Sequence, residues 1–140
     1  MCDTTILVSY RLKEHASFWP LVQKKFSVIY NGVSGIHFKA RHEAREALSA
    51  FAGANIFHEH TLAIGTIAEL HTNKGLDVGI HAFAMLPPDI KESTHWVIIG
   101  GGEKYEELTA LAKDESHIHF IGFVPEGAKY LKAFDVFMLP

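Results

Sequence analysis

Short runs of Val, Ile, Leu and Phe alternate along this chain with longer stretches of helical period, and no other feature restricts the fold as much. Five runs read as strands: Ile6 to Ser9, Ser27 to Tyr30, Leu62 to Ile67, Trp96 to Ile99 and Ile118 to Ile121, with a sixth from Asp135 to Leu139. Most are continuously apolar, the pattern of strands covered on both faces. Between them, Lys39 to Phe51 is rich in helix formers and ends near Gly53 and Asn55. Lys74 to Leu86 puts Leu76, Ile80, Phe83 and Ala84 on one helical face and stops at Pro87-Pro88. Glu103 to Lys113 does the same with Tyr105, Leu108, Leu111 and Ala112, its acids lying in the first turn where the helix dipole favours them. Strand and helix in this order predict an α/β fold, an open parallel sheet with helices on both faces.

Composition bounds what such a fold can do. The chain has 140 residues, 48% of them hydrophobic, enough for a core that needs no disulfide or structural metal. Its lone cysteine, Cys2, has no internal partner. A net charge of −3, with basic residues scattered among acids, gives no positive field for nucleic acid or anionic membrane. No run approaches the roughly 20 apolar residues of a transmembrane segment, and the amino terminus lacks the pattern of a signal peptide, which favours the cytoplasm. Residues 1–35 read as a loosely organised leader with a hinge at Asn31-Gly32, and residues 36–140 as the domain proper.

Ligands of open α/β sheets sit beyond the carboxyl ends of the strands, which directs attention to three loops. The first runs from Gly65 and Thr66 through Glu69 to Lys74 and Gly75. With Asn73 as N-cap, Lys74 and Gly75 become the first helical residues, and a lysine there opposes the dipole unless an anion offsets it. A phosphate on the free helix N–H groups would do so; a solvated lysine, or one paired with Glu69 or Asp77, explains the pattern equally. The second loop, Gly100-Gly101-Gly102, either bares backbone to a ligand or makes a tight strand-to-helix turn. It does not complete a dinucleotide fingerprint, since Tyr105 stands where the third glycine would fall, and no Walker-type loop exists. The third, Gly122-Phe123-Val124-Pro125, could present backbone groups and an apolar surface to a flat base, or be a plain turn.

Ten histidines raise the question of a metal. His58-Glu59-His60 and His117-Ile118-His119 each place two imidazoles on one side of an extended chain, but neither has the spacing of a zinc motif, and they read as scattered surface histidines. No nucleophile elbow is present, and Cys2 has no base beside it in sequence.

The order of the motifs carries a family likeness. Ile64-Gly-Thr-Ile-Ala-Glu-Leu-His-Thr-Asn-Lys-Gly-Leu-Asp77 with Ala82-Phe83, then Trp96-Val-Ile-Ile-Gly-Gly-Gly-Glu103 with Leu108, then Ile118-His-Phe-Ile-Gly-Phe-Val124, then Ala133-Phe-Asp-Val-Phe-Met-Leu-Pro140 resemble the carboxyl-terminal domain of a group 1 (family four) GT-B glycosyltransferase. Val28 to Val33 resembles the segment that opens that domain, and Ile6 to Ser9 the strand before it. The likeness implies a Rossmann-like sheet that binds a nucleoside diphosphate sugar, and retaining transfer of the sugar to a hydroxyl acceptor without a resident cofactor or metal. It implies that Lys74 stabilises the donor diphosphate, that Gly65, Thr66, Glu69 and Gly75 line the same loop, that Gly100, Gly101 and Gly102 shape the nucleotide pocket, and that Gly122, Phe123 and Val124 meet the base.

Two departures accompany the likeness. Many members carry Gly-Arg-Leu where this chain has Ala68-Glu69-Leu70, and a carboxylate near a diphosphate is repulsive, so either Glu69 turns away or donor binding is weakened. The chain also stops before the family's serine and paired-glutamate segment and lacks the amino-terminal GT-B domain with the acceptor site. The expectation is thus an incomplete donor-binding domain, inactive alone, from an enzyme that peripheral membrane association would also suit. A non-catalytic nucleotide-binding or interaction module of the same fold is the alternative.

Overall fold

The computed structural model describes residues 4–16, 26–32 and 34–140; Cys2 and Val33 lie outside them. The chain divides into two compact units, residues 1–35 and 36–140. In the first, β1 (Thr5–Leu7) and β2 (Phe26–Val28) pair in parallel, with Ile6 opposite Ser27. Ser9, read as a strand end, instead caps α1 (Tyr10–Ala16): its hydroxyl accepts from the Leu12 N–H at 3.2 Å, satisfying an amide the helix leaves free. The rings of Tyr10 and Tyr30 meet edge to face at 6.0 Å.

The second unit is built on a four-stranded parallel sheet of β3 (Leu62–Ile67), β4 (Thr94–Ile99), β5 (Ile118–Gly122) and β6 (Val136–Phe137), in the order β5-β4-β3-β6. The apolar runs therefore divide between two sheets, because continuous hydrophobicity marks a buried strand without naming its neighbours. Side-chain alternation along the strands sends Ala63, Val97 and Ile99 to one face, where Ala44 and Leu48 of α2 (Arg41–Ala52) pack on them. Trp96 and Ile98 go to the other, under Leu76, Ile80 and Phe83 of α3 (Leu76–Ala84) and Leu108 of α5 (Tyr105–Leu111). Burial of each of the larger of these side chains contributes roughly 1.5–3 kcal/mol, so these two layers hold the sheet between helices.

Several boundaries differ from the sequence reading for local reasons. The stretch from Lys74 is not one helix: Thr72–Lys74 form a 3₁₀ turn, and Gly75, at φ 64°, is the left-handed residue from which α3 starts. The buried face of α3 uses Gly79 rather than the exposed Ala84, since a Cβ at Gly79 would stand 2.7 Å from the Trp96 ring. Pro87-Pro88, read as a stop, also starts a helix, α4 (Pro88–Ser93), with Pro88 in the first turn where its missing N–H costs nothing. A 3₁₀ segment, Gly127–Ala133, then leads into β6. Among the described residues no helix is long and apolar enough to cross a membrane.

Candidate functional site

The connectivity fixes where a ligand can bind. From β3 the chain steps outward through β4 to β5, then returns to place β6 on the other side of β3. Loops leaving β3 and β6 thus diverge, and the gap between them at the carboxyl edge is the position where open α/β sheets take ligands. Two cavities lie along this edge. One, of about 420 Å³, lies beyond β3, β4 and β5, with Ile67, Ile99 and Val124 as apolar wall and Gly101, Phe123 and Gly127 at its borders. The other, of about 300 Å³, lies at the switch between β3 and β6, with Lys74 and Asn73 on one side and Leu139 and Pro140 on the other. Leu139 and Pro140 were not singled out from sequence; only the return of β6 to β3 brings them here.

Lys74 faces the second cavity half-buried, and among the described residues it forms no ion pair, with Glu69 or Asp77 or any other carboxylate. Its place differs from the one expected. Asn73 is not the helix cap; its N–H instead donates to His71 Nδ1 at 3.3 Å, and Lys74 closes the 3₁₀ turn just before Gly75. The lysine consequently precedes α3 rather than occupying its first turn, and both its ammonium and the first amides of the helix are left to an anion.

Glu69 lies at this edge as well. It is exposed and lines both cavities, at the seam between them. Its neighbours hold it there: Ala68 N–H donates to the Ile99 carbonyl and Leu70 N–H to that of Gly101, each at 3.0 Å, while the Glu69 carbonyl accepts from His71 N–H at 3.0 Å.

The remaining expected residues separate into lining and support. Gly65 is a correction: it is buried inside β3, and a Cβ there would overlap the Phe134 ring, so glycine is required by packing and not by a ligand. Thr66 borders the second cavity, but its buried hydroxyl donates to the Met138 carbonyl at 2.7 Å and accepts from Trp96 Nε1 at 3.0 Å, which ties β3 to the β6 strand's exit and to the core. Gly100 and Gly102 let the second loop press on the first, since a Cβ at either would collide with the carbonyl of Ala68 or Leu70, whereas Gly101 faces open space. Gly122, at φ 73°, takes the left-handed turn that ends β5 and accepts from Gly100 N–H at 2.8 Å. Beyond it Phe123 stands 78% exposed at the cavity lip while Val124 is 3% exposed in the wall. Glu126, also on this cavity, is ion-paired with Lys129. The three loops are therefore one hydrogen-bonded surface.

A family model described as glycosyl transferases group 1 matches residues 61–140, more than half of the chain. The chain belongs to this family. Among solved structures, this glycosyltransferase chain is similar to HepE of Anabaena in complex with UDP and glucose, at a TM-score of 0.76 and 18% identity, covering 98% of this chain and 37% of that one. HepE in complex with UDP-glucose gives 0.75 and 19%, over 98% of this chain and 38% of that one. WaaG, a glycosyltransferase involved in lipopolysaccharide biosynthesis, gives 0.73 and 18%, over 96% and 37%. No curated protein sequence matches significantly. The fold is that of a GT-B Rossmann-like domain, and the chain spans little more than a third of the length of these structures.

At the opposite, amino edge of this glycosyltransferase sheet, the structure corrects the reading of scattered histidines. His95 of β4 hydrogen-bonds His119 of β5 through Nδ1 and Nε2 at 2.8 Å with the rings stacked, and the His117 and His58 rings lie edge-on at 4.8 and 6.3 Å. Partial burial, then the neighbouring His119, His117 and His58, push the His95 imidazole down to about 4; burial and His117 also lower His119. Parallel pairing of β4 with β5 and with β3, which follows His58, gathers these residues, a relation that spacing within one segment cannot reveal. Among the described residues no group of three or more His, Cys, Asp or Glu side chains is placed to hold a metal ion.

Proposed function

We propose that residues 36–140 form the donor-binding part of a retaining glycosyltransferase, which transfers a sugar from a nucleoside diphosphate sugar to a hydroxyl acceptor. The observation that carries this reading is the pair of adjoining cavities at the carboxyl edge: an apolar one suited to a flat base, and beside it one with an unpaired lysine suited to phosphate. The UDP and UDP-glucose bound to HepE, a protein of the same fold, support the choice of ligand class. In this reading the base lies against Val124 and Phe123 and the diphosphate reaches Lys74. The ammonium would then stabilise the charge that grows on the leaving diphosphate as the glycosidic bond breaks, which lowers the barrier to transfer. The acceptor site belongs to an amino-terminal domain outside this chain, and residues 1–35 to the connection between the two. On this reading the fragment binds donor nucleotide without turning it over.

The test is an NMR titration of the isotopically labelled chain with UDP, GDP and ADP. Shifts of the Gly75, Gly101 and Gly122 amides are expected for at least one nucleotide, with affinity reduced roughly tenfold in Lys74→Ala, the scale of one charge-assisted hydrogen bond. Affinity unchanged in Lys74→Ala would remove the lysine from the site.

A further inference from the structure

A short line of hydrogen bonds runs from the core to the wall of the lysine cavity. The indole Nε1–H of Trp96 donates to the Thr66 hydroxyl at 3.0 Å, and that hydroxyl donates to the Met138 carbonyl at 2.7 Å. Met138 is followed by Leu139 and Pro140, which border the cavity across from Lys74. On the reading proposed above, in which this cavity takes the diphosphate, we infer that Trp96, acting through Thr66, is a positioning residue for it: the buried indole sets the wall of Leu139 and Pro140 opposite Lys74 without itself touching the ligand.

The backbone ladder alone holds this wall loosely. β6 pairs with β3 at two positions, Ile64 with Val136 and Gly65 with Phe137, and just past them the Met138 N–H reaches the Gly65 carbonyl at 2.9 Å. The Met138 carbonyl, where the ladder ends, takes its partner from the Thr66 side chain. A hydroxyl has one proton to give. Because Thr66 accepts the indole N–H, its own proton is left for Met138, so Trp96 orients the hydroxyl as well as filling the core. Burial makes the link stringent: both residues are 0% exposed, where a polar group deprived of its partner is destabilising. Thr94, the other buried polar side chain among the described residues, donates instead to the Ile90 carbonyl of α4 at 2.6 Å. Packing repeats the connection. A Cβ at Gly79 would stand 2.7 Å from Trp96 Cη2 and 3.0 Å from Pro140 Cγ, so the indole and the proline ring meet over one glycine. A Cβ at Gly75, the residue after Lys74, would come within 3.3 Å of the Pro140 carbonyl carbon. The turn that carries Lys74 and the wall are thus close neighbours, and a wall that shifts changes the space left for a phosphate. A site fixed beforehand loses less free energy to ordering when it binds.

The test measures UDP against UMP on the full 140-residue chain, by the same titration, in the native protein and in Thr66→Val, Thr66→Ser and Trp96→Phe; GDP with GMP, or ADP with AMP, replaces this pair if the diphosphate binds more tightly. The ratio of the two affinities isolates the diphosphate, because a variant that is merely less stable weakens both ligands by the same factor. The native chain is expected to prefer UDP roughly tenfold, the scale of one charge-assisted hydrogen bond. That preference should fall roughly threefold or more in Thr66→Val, and by a smaller factor in Trp96→Phe, which leaves Thr66 its bond to Met138. Thr66→Ser, which keeps the hydroxyl, should recover most of it. A second measurement needs no change in the core: the Trp96 indole N–H resonance, identified in Trp19→Phe where it is the sole tryptophan, should move with UDP in step with the Gly75 amide and stay in place with uridine, which has no phosphate. A native ratio near one, a ratio unchanged in Thr66→Val or Trp96→Phe, or an indole resonance indifferent to UDP overturns the positioning role while nucleotide binding itself stands. Absence of binding by UDP, GDP and ADP overturns the donor-domain reading and the assignment with it.

Discussion

Replacing Asp135 should loosen the wall of the lysine cavity by unseating β6 from β3. This carboxylate, just before β6, accepts from the backbone N–H of Ala63 at 2.9 Å, from Arg41 Nη2 at 2.5 Å and from Arg45 Nη2 at 3.1 Å. Arg45 in turn donates through Nε to the Ala133 carbonyl at 2.9 Å, so α2, β3 and the approach to β6 share one junction. Arg41 is 49% exposed, and its pair is worth at most about 0.5 kcal/mol after screening by water. Arg45 is 18% exposed, and its pair together with the Ala63 amide bond contributes about 2 kcal/mol. Asp135→Ala, which leaves that amide and Arg45 without their acceptor, is therefore expected to cost about 2–3 kcal/mol. Asp135→Asn keeps a carbonyl oxygen for Ala63 and should cost roughly half as much. Urea unfolding followed by tryptophan fluorescence measures both; the Met138 and Leu139 amide signals and the Pro140 side-chain signals report whether the cavity wall moves. The pH dependence adds a check. Burial works against ionisation, but the Ala63 N–H, the Arg41 hydrogen bond and the charges of Arg41 and Arg45 outweigh it and hold the carboxyl below its ordinary value. A depressed folded value means that the contribution is complete above the unfolded pKa, about 3.9, and is lost as pH falls through the lower folded value. A loss below 1 kcal/mol in Asp135→Ala, or equal losses in the two variants, would refute the assignment of β6 seating to this carboxylate.

Two further outcomes concern the sheet. Gly65→Ala should destabilise by about 1–3 kcal/mol through collision with Phe134, and Phe134→Leu in the same chain should recover part of that loss; additive losses in urea unfolding would show that the ring is not the obstacle. For the histidine cluster, the lowered His95 value means that stability is complete above about 6.5, the unfolded value, and is lost as pH falls toward about 4. Discounted for partial exposure, the loss is about 1–2 kcal/mol, and His95→Leu should flatten the slope of stability between pH 6.5 and 4; an unchanged slope would exclude His95 as its source.

The sequence by itself determined the class of fold, because a buried parallel strand must be continuously apolar and an amphipathic helix must repeat near 3.6 residues, and both are local properties. It also placed Lys74, Gly101, Phe123 and Val124 in the loops after strands, where such sheets bind ligands and where the two cavities lie. What only the tertiary structure decided are relations between distant segments. Gly65 reads as a loop glycine until Phe134 is seen lying on it, some seventy residues later in the chain. Asn73 reads as a cap until His71 accepts its N–H and Gly75 turns left-handed to start the helix. The four histidines come from three segments and meet because β4 pairs with β5 on one side and with β3, which follows His58, on the other. Leu139 and Pro140 reach the lysine because β6 crosses back to β3. Glu69 could be named from sequence as a departure from its family, but its station between two cavities depends on which backbone atoms Ala68 and Leu70 bond. Local periodicity is written in neighbouring residues; which surfaces meet is set by strand order and register, where one burial pattern is compatible with several pairings.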